Sequence, residues 1–156
     1  MKVNLVRIDE RLIHGQVMSS WVKSFWIRRS ILVDDEYVTD DYMKTVLPMS
    51  APAGTKVEIR ETSDTAILLN SDTSDESTLL LFRKLEYAYR LYQCGFHFTE
   101  LNIGNIGSAA DRKPVTKKVY MSETEKDMCR KMSEQGARIY IQELPHDAEV
   151  DVMSKI

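Results

Sequence analysis

The chain has 156 residues, of which 43% are hydrophobic and 29% are charged, and these values are typical of one globular domain with its own core. The formal charge is −3 at pH 7. The basic residues are scattered, which argues against the basic patch of a nucleic-acid-binding protein. No apolar run approaches the ~18 residues of a membrane-spanning helix. We therefore expect residues 1–156 to form a single domain without a nucleic-acid partner.

The first third of the chain alternates between strand and helix patterns. Apolar residues on both faces of 2–8 predict a strand that is covered on both sides, and apolar residues at helical spacing predict a helix over 15–26. The segment "SILVDD" predicts a second strand. A helix follows, which we expect Thr39 to cap and Pro48 to stop.

The middle of the chain continues the alternation. "KVEIRE" predicts a third strand, a short helix is expected around 63–70, and "NSDTSDES" has the polar composition of a loop. "TLLLF" predicts a fourth, buried strand, and the amphipathic helix after it is closed by Gly95.

The last third completes the fold prediction. "FTELNI" and "PVTKKVYM" predict two strands, Ser122 and Glu125 form a capping box that begins a helix, and "ARIYIQEL" predicts a seventh strand before a short terminal helix. The alternation predicts an α/β fold, an open, mostly parallel doubly wound sheet of about seven strands with helices on both faces. Because 104–114 lacks a helix pattern, one edge strand could run antiparallel or be reached by a loop crossover.

The turn between the first strand and the first helix, within "VRIDERLIHGQV", concentrates charge around a histidine. In doubly wound sheets ligands bind beyond the carboxyl ends of the strands, and a helix N-terminus attracts anions. Arg7 and Arg11 can bind phosphate bidentately, and Gly15 lets the backbone approach it closely. Asp9 can orient Arg7 or the imidazole. His14 is a nucleophile that can accept and release a phosphoryl group, so the turn favours a phosphate site.

Other interpretations of this turn stay open on the residues alone. An ion-paired surface loop would have the same composition, and a regulatory module could sense phosphate without transferring it. A hydrolase or mutase could use His14 as its nucleophile, with Asp9 or Glu10 as the local acid–base group. No P-loop or GxGxxG pattern supports a nucleotide, and no second histidine lies nearby for a metal, so we expect no cofactor and no metal.

Two further groups of polar residues lie at the same predicted sheet edge. Asp34 and Asp35 end the second strand and could hold His14 or Arg11, or cap the following turn. The glycines of the loop over 102–107 suit a tight turn, and a share of this loop in partner docking is the alternative.

The segment "VRIDERLIHGQV", followed by "SSWVK", closely resembles the opening of IIB components of the mannose/fructose/sorbose family of the sugar phosphotransferase system. The segments "ILVDDEYVTDD", "LNIGNIG" and "KKVYMSETEKDMCRKMSEQGARIYIQELPHD" resemble later parts of the same family in the same order. The resemblance covers nearly the whole chain, and its first motif is specific because twelve residues of unusual composition agree at fixed spacing.

The resemblance implies a phosphoryl carrier that uses a phosphohistidine. By the family's motif, His14 is the residue that becomes phosphorylated, and Arg11, three positions before it, stabilises the phosphoryl group. The same motif implies a cradle for the phosphate around the histidine. Its expected phosphate-binding residues are Arg7, Asp9, Leu12, Ile13, Gly15 and Gln16.

The resemblance also implies the partners. A phosphorylated IIA protein or domain would supply the phosphoryl group, and the membrane IIC and IID components would deliver the hexose or amino sugar that receives it. The protein is then expected in the cytoplasm, peripherally associated with the permease. Trp26, Arg28 and Arg29 are bulkier and more basic than is usual in the family, which bears on partner docking and leaves the chemistry unchanged.

Overall fold

The structure is a computed structural model that describes residues 1–13 and 15–156, with the side chain of Gln16 also outside the description. Strands and helices alternate along most of the chain. The strands are β1 (Lys2–Asp9), β2 (Arg29–Val33), β3 (Lys56–Arg60), β4 (Ser77–Phe82), β5 (Glu100–Asn105), β6 (Lys113–Pro114), β7 (Tyr120–Met121), β8 (Arg138–Ile141) and β9 (Val150–Asp151). The α-helices are α1 (Gly15–Ser24), α2 (Asp41–Met49), α3 (Thr62–Ser71), α4 (Leu85–Gln93) and α5 (Glu123–Glu134).

Seven of the strands form one sheet in the order β3-β2-β4-β1-β5-β8-β9. Every neighbouring pair is parallel except β8 and β9, which are antiparallel. The predicted α/β class, with a mostly parallel sheet of about seven strands, is therefore confirmed. The predicted sixth strand over 114–121 was wrong, because β6 and β7 form a separate short antiparallel ladder. The antiparallel edge position is taken by β9, and the expected short terminal helix is a single 3₁₀ turn, Val152–Ser154, that follows it.

The sheet has an apolar core on each face. On one face α1 and α2 cover alternate strand residues such as Leu32 and Leu81, and on the other face α4 and α5 cover Ile31 and Phe82. These strand residues are fully buried on both faces. This explains why the central strands are nearly continuous apolar runs in the sequence.

Two helix boundaries differ from the prediction. The side chain of Asp40, rather than that of Thr39, caps α2 by accepting from the main-chain N–H of Met43 at 3.1 Å. Pro48 lies inside the last turn of α2, which ends one residue later at Met49. A proline in the last turn removes a single helical hydrogen bond, so α2 tolerates it there.

The register brings the carboxyl ends of β1, β5 and β8 together. Arg7 pairs with Asn102, and Asn102 pairs with Tyr140 on the next strand. The loops that leave these three strands therefore start side by side at one edge of the sheet. In the described ranges, no helix has the length and apolar character needed to cross a membrane.

Candidate active site

The loop after β1 begins with a tight turn. The main-chain N–H of Leu12 donates to the carbonyl of Asp9 at 3.0 Å, and Leu12 has φ of 60°, a left-handed conformation that is uncommon outside glycine. The side chains of Leu12 and Ile13 are buried in the core. Contact of these two residues with phosphate would therefore have to come from the main chain. Gly15, with φ of 53°, begins α1 and is exposed.

His14, the expected nucleophile, lies outside the described residues, and the expected contact from the side chain of Gln16 lies outside them too. In sequence His14 stands between Ile13 and Gly15, the first residue of α1. The N–H groups in the first turn of a helix have no acceptor within the helix. Gly15 and the main chain of Gln16 are thus at the anion-attracting end of α1.

Arg7 lies in the middle of the site and is fully buried. Its Nη1 donates to the side-chain oxygen of Asn102 and, at 2.9 Å, to the carbonyl of Gln142. Its Nη2 donates to Oδ2 of Asp9 at 3.0 Å and to the carbonyl of Glu143 at 3.1 Å. The guanidinium also lies over the ring of Trp21, with 4.7 Å between the guanidinium carbon and the ring centroid. One arginine therefore joins β1, β5, β8 and α1.

The contacts of Arg7 use all four of its terminal N–H bonds. Its Nε is buried and has no partner within the described residues. Burial lowers the pKa of Arg7, and the neighbouring carboxylate of Asp9 opposes that shift. A direct bond from Arg7 to phosphate stays a prediction, and it would have to use the buried Nε–H or replace one of these four bonds. In this structure Arg7 holds Asp9 in place.

Asp9 is buried between two arginines and positions the second one. Its Oδ1 accepts from the main-chain N–H of Arg11 at 3.0 Å and from Nε of Arg11 at 2.9 Å. Its Oδ2 accepts from Nη2 of Arg11 at 2.9 Å and also from Arg7. The hydrogen bond to Asp9 is the largest cause that raises the pKa of Arg11. Asp9 was expected to bind phosphate, and in the structure both of its carboxylate oxygens are bonded to Arg7 or Arg11.

Arg11 is less fully hydrogen-bonded than Arg7. Nε and Nη2 bind Asp9, and Nη1 donates to Oε1 of Glu143 at 3.2 Å. One N–H on Nη1 and one on Nη2 therefore lack an acceptor in the part of the chain that the structure describes. The side chain of Arg11 is 25% exposed. Arg11 is thus the arginine of this turn that is arranged to bind an anion.

Glu143, the second residue after β8, was not identified from the sequence. Its carbonyl accepts from Arg7 and, at 2.8 Å, from Nε1 of Trp21, and its side chain binds Nη1 of Arg11 and the ammonium of Lys118. The hydrogen bond from Lys118 is the largest cause that lowers the pKa of Glu143. The rule that ligands bind at the carboxyl ends of strands is the signal that could have identified it.

Glu10 faces away from Arg11 and joins the site to the loop after β5. Its Oε2 accepts from the main-chain N–H of Gly107 at 2.8 Å, and its Oε1 accepts from Nη1 of Arg112 at 2.7 Å. Arg112 in turn binds Glu125, the residue that completes the capping box of α5. Glu10 is therefore neutralised by Arg112 rather than directed at a phosphate.

Gly104 leaves room for the two buried charges. A Cβ at this position would lie 2.7 Å from Oδ2 of Asp9 and closer still to the guanidinium of Arg7. The sequence suggested a tight turn at this glycine, but Gly104 lies within β5 and is buried. Its role is close packing, which depends on a strand pairing that the local sequence does not show.

Asp34 and Asp35 lie apart from the loop after β1. Oδ1 of Asp34 accepts from the main-chain N–H groups of Glu36 and Tyr37, and its Oδ2 accepts from Arg83 at 2.8 Å. Oδ1 of Asp35 accepts from the main-chain N–H of Thr62 at 2.7 Å. Both aspartates therefore stabilise the turn after β2 and the start of α3. This agrees with the interpretation that they cap the following turn.

The site offers cations and main-chain N–H groups for an anion. Among the described residues, no group of three or more His, Cys, Asp or Glu side chains could hold a metal ion. Arg11 supplies two N–H bonds, Asp9 fixes the guanidinium, and the start of α1 supplies main-chain N–H groups. This arrangement can bind and orient a phosphoryl group.

Comparison with known proteins gives consistent matches along the chain. The family described as the sorbose subfamily IIB component of the PTS system matches residues 3–156. The fructose-specific EIIB component of Bacillus subtilis is 30% identical over 97% of this chain and 93% of its own length. The mannose-specific EIIAB component of Escherichia coli is 29% identical over 100% of this chain, which spans 49% of that protein. The IIBSor domain of the sorbose permease of Klebsiella pneumoniae has a TM-score of 0.93 and 28% identity, covering 99% of this chain and 96% of its own.

Proposed function

The chain belongs to the sorbose subfamily of IIB components of the sugar phosphotransferase system, whose members carry phosphoryl groups to sugars, and we propose that His14 is the residue that carries the phosphoryl group here. Arg11 would bind that group, and the main-chain N–H groups at the start of α1 would orient it. A phosphate-sensing module without transfer is not favoured by the family match.

The proposed chemistry consists of two displacements at phosphorus. A ring nitrogen of His14 attacks the phosphorus of a phosphohistidine on the donor, and the new N–P bond forms as the donor's N–P bond breaks. A hydroxyl oxygen of the sugar then attacks the same phosphorus, the N–P bond to His14 breaks, and the hydroxyl proton passes to the released imidazole. Neither step needs more from the surrounding protein than positioning and neutralisation of charge.

The observation that carries this proposal is the state of Arg11. The carboxylates of Asp9 and Glu143 hold its guanidinium, and its main-chain N–H also donates to Asp9, yet two of its side-chain N–H bonds have no acceptor among the described residues. A guanidinium prepared in this way loses little conformational entropy when it binds an anion. It stands three residues before His14 in sequence.

The partners that we propose follow from the family. A phosphorylated IIA protein or domain donates the phosphoryl group, and this is supported by the E. coli mannose-specific EIIAB component, whose name joins a IIA and a IIB component in one protein. Membrane IIC and IID components deliver a hexose or amino sugar. We place the protein in the cytoplasm, peripherally associated with that permease.

The test is phosphoryl transfer from a phosphorylated IIA protein of the same family. We expect the wild type to gain an acid-labile, alkali-stable phosphoryl group and His14→Ala to gain none. The adduct is measured by intact-protein mass spectrometry at alkaline pH. The assignment fails if the wild type gains no phosphoryl group, or if His14→Ala gains one equally well.

A further inference from the structure

The carboxylate of Glu143 binds the same cation that the phosphoryl group needs. Its Oε1 accepts from Nη1 of Arg11 at 3.2 Å, and its Oε2 accepts from the ammonium of Lys118. We propose that Glu143 is a positioning residue that competes with the phosphoryl group for Arg11, and that Lys118 sets how strongly it competes. This inference rests on the proposed function, because it concerns the phosphoryl group on His14.

The main chain fixes Glu143 close to Arg11. The carbonyl of Glu143 accepts from Nη2 of Arg7 at 3.1 Å and from Nε1 of Trp21 at 2.8 Å, and both donor residues are buried. The main chain of Glu143 could withdraw from Arg11 only if these two hydrogen bonds broke. The side chain is partly buried, with 25% of it exposed, so its charge is only partly screened.

Glu143 lowers the net positive charge of the cluster around Arg11. The groups bonded to one another here are two carboxylates, Asp9 and Glu143, and three cations, Arg7, Arg11 and Lys118. Without Glu143 the cluster would carry two more positive charges than negative ones. A carrier that stabilises its phosphoryl group too strongly passes it on less readily, because only stabilisation specific to the transition state speeds transfer. Glu143 keeps the phosphoryl group from being held too tightly.

Removal of the Glu143 charge is the first half of the test. Glu143→Gln keeps the length of the side chain and one acceptor oxygen but releases Arg11 and Lys118 from a carboxylate. We expect the phosphoryl equilibrium between a phosphorylated IIA protein and His14 to shift toward His14 by about three- to tenfold. Onward transfer to sugar should slow by a similar factor.

Removal of the Lys118 charge is the second half of the test, and we expect it to shift the phosphoryl equilibrium in the opposite direction. Lys118→Met keeps most of the length of the side chain but leaves Arg11 as the remaining side-chain partner of Glu143 within the described residues. The carboxylate then competes more strongly for Arg11, and we expect the equilibrium to shift away from His14 by about two- to fivefold. A general loss of stability would move both variants in one direction, so opposite signs exclude that explanation.

The matched control is Glu100→Gln. Glu100 also pairs with an arginine, Arg138, across β5 and β8, but at the amino ends of these strands. We expect this variant to leave the phosphoryl equilibrium unchanged. Each variant is mixed with a phosphorylated IIA protein, and both phosphorylated species are quantified at alkaline pH, with urea unfolding as the check on folding.

The possible outcomes separate the two proposals. If Glu143→Gln and Lys118→Met shift the equilibrium in the same direction, or if neither differs from Glu100→Gln, the role of Glu143 is disproved while the carrier function stands. If the wild type takes up no phosphoryl group, or takes it up at a residue other than His14, both proposals are disproved together.

Discussion

Arg7, in β1, and Arg11, in the turn that follows, are four residues apart and differ in their bonding. Arg7 uses its four terminal N–H bonds on protein acceptors, whereas two N–H bonds of Arg11 have no acceptor among the described residues. From the sequence we predicted phosphate contacts for both, because both are arginines close to His14. Three of the acceptors that occupy Arg7 lie on Asn102 of β5 and on Gln142 and Glu143 just after β8, and local sequence carries no sign of that proximity.

Gly104 permits the burial of Arg7, and this gives a prediction at the scale of one residue. In Gly104→Ala the new methyl group would collide with the guanidinium of Arg7 and with Asp9, both of which are buried and hydrogen-bonded to each other. We expect the free energy of unfolding to fall by about 1–3 kcal/mol, as is typical of overpacked cores. Urea denaturation of the variant and the wild type measures this difference.

Gly107→Ala is the control for this substitution. Its methyl group would lie 2.8 Å from Oε2 of Glu10, the end of a flexible side chain that is 30% exposed and can shift. We expect a change of less than about 1 kcal/mol in either direction. Equal losses in the two alanine variants would contradict the explanation for Gly104.

At the scale of elements, the features predicted correctly from the sequence are those that depend on residues close together in the chain. The capping box of Ser122 and Glu125 begins α5 as predicted, because both of its hydrogen bonds lie within four residues. Gly95 follows α4 with positive φ, as predicted, and Gly136 has the same conformation after α5. β9 was missed because two residues carry no periodicity, and its place depends on pairing with β8.

The end of α1 contains a strained residue that gives a prediction at this scale. The main-chain N–H of Ile27 donates to the carbonyl of Val22, and that of Trp26 donates to the carbonyl of Lys23, the hydrogen bonds of a Schellman motif. The left-handed position, where glycine is preferred, is occupied by Trp26 with φ of 55°, and its side chain is 79% exposed. Trp26→Gly should therefore increase the free energy of unfolding by about 1 kcal/mol.

Trp26→Ala separates backbone strain from loss of the side chain. Alanine removes the exposed indole but keeps the steric penalty of the left-handed conformation. We expect thermal unfolding of the glycine variant to occur about 2–4 °C above that of the wild type. The alanine variant should melt within a degree or so of the wild type, and an equal gain in both variants would show that the indole, not the backbone, is the source of strain.

At the scale of the whole molecule, ion pairs on the sheet's carboxyl edge connect elements that are distant in sequence. Glu36 follows β2 and accepts from Lys84, from Arg83 at 3.2 Å and from the hydroxyl of Tyr87 at 2.8 Å. These bonds attach the turn after β2 to the start of α4. The hydrogen bond from Lys84 is the largest cause that lowers the pKa of Glu36 to about 2.

This pKa gives a prediction for the stability of the folded protein against pH. Because the pKa of Glu36 is lower in the folded state than its ordinary value of 4.5, its stabilisation is complete above about pH 5 and is lost as the pH falls toward 2. Glu36→Gln should cost about 1 kcal/mol or less near neutral pH, since the group is exposed and screened by solvent. Urea unfolding between pH 6 and pH 3 compares the variant with the wild type. The difference in the free energy of unfolding between the two proteins should become smaller as the pH falls. If that difference is constant with pH, the lowered pKa of Glu36 is disproved.

The four bonds of Arg7 have a consequence for how partners exchange. They fasten the carboxyl ends of β1, β5 and β8 to one another, so the base of the turn that contains Arg11 cannot change shape without breaking bonds between buried groups. A donor that departs and an acceptor that arrives would therefore meet a surface of the same shape. Their exchange is then a competition for one fixed target, and an inert ligand made to block either partner should block the other equally well.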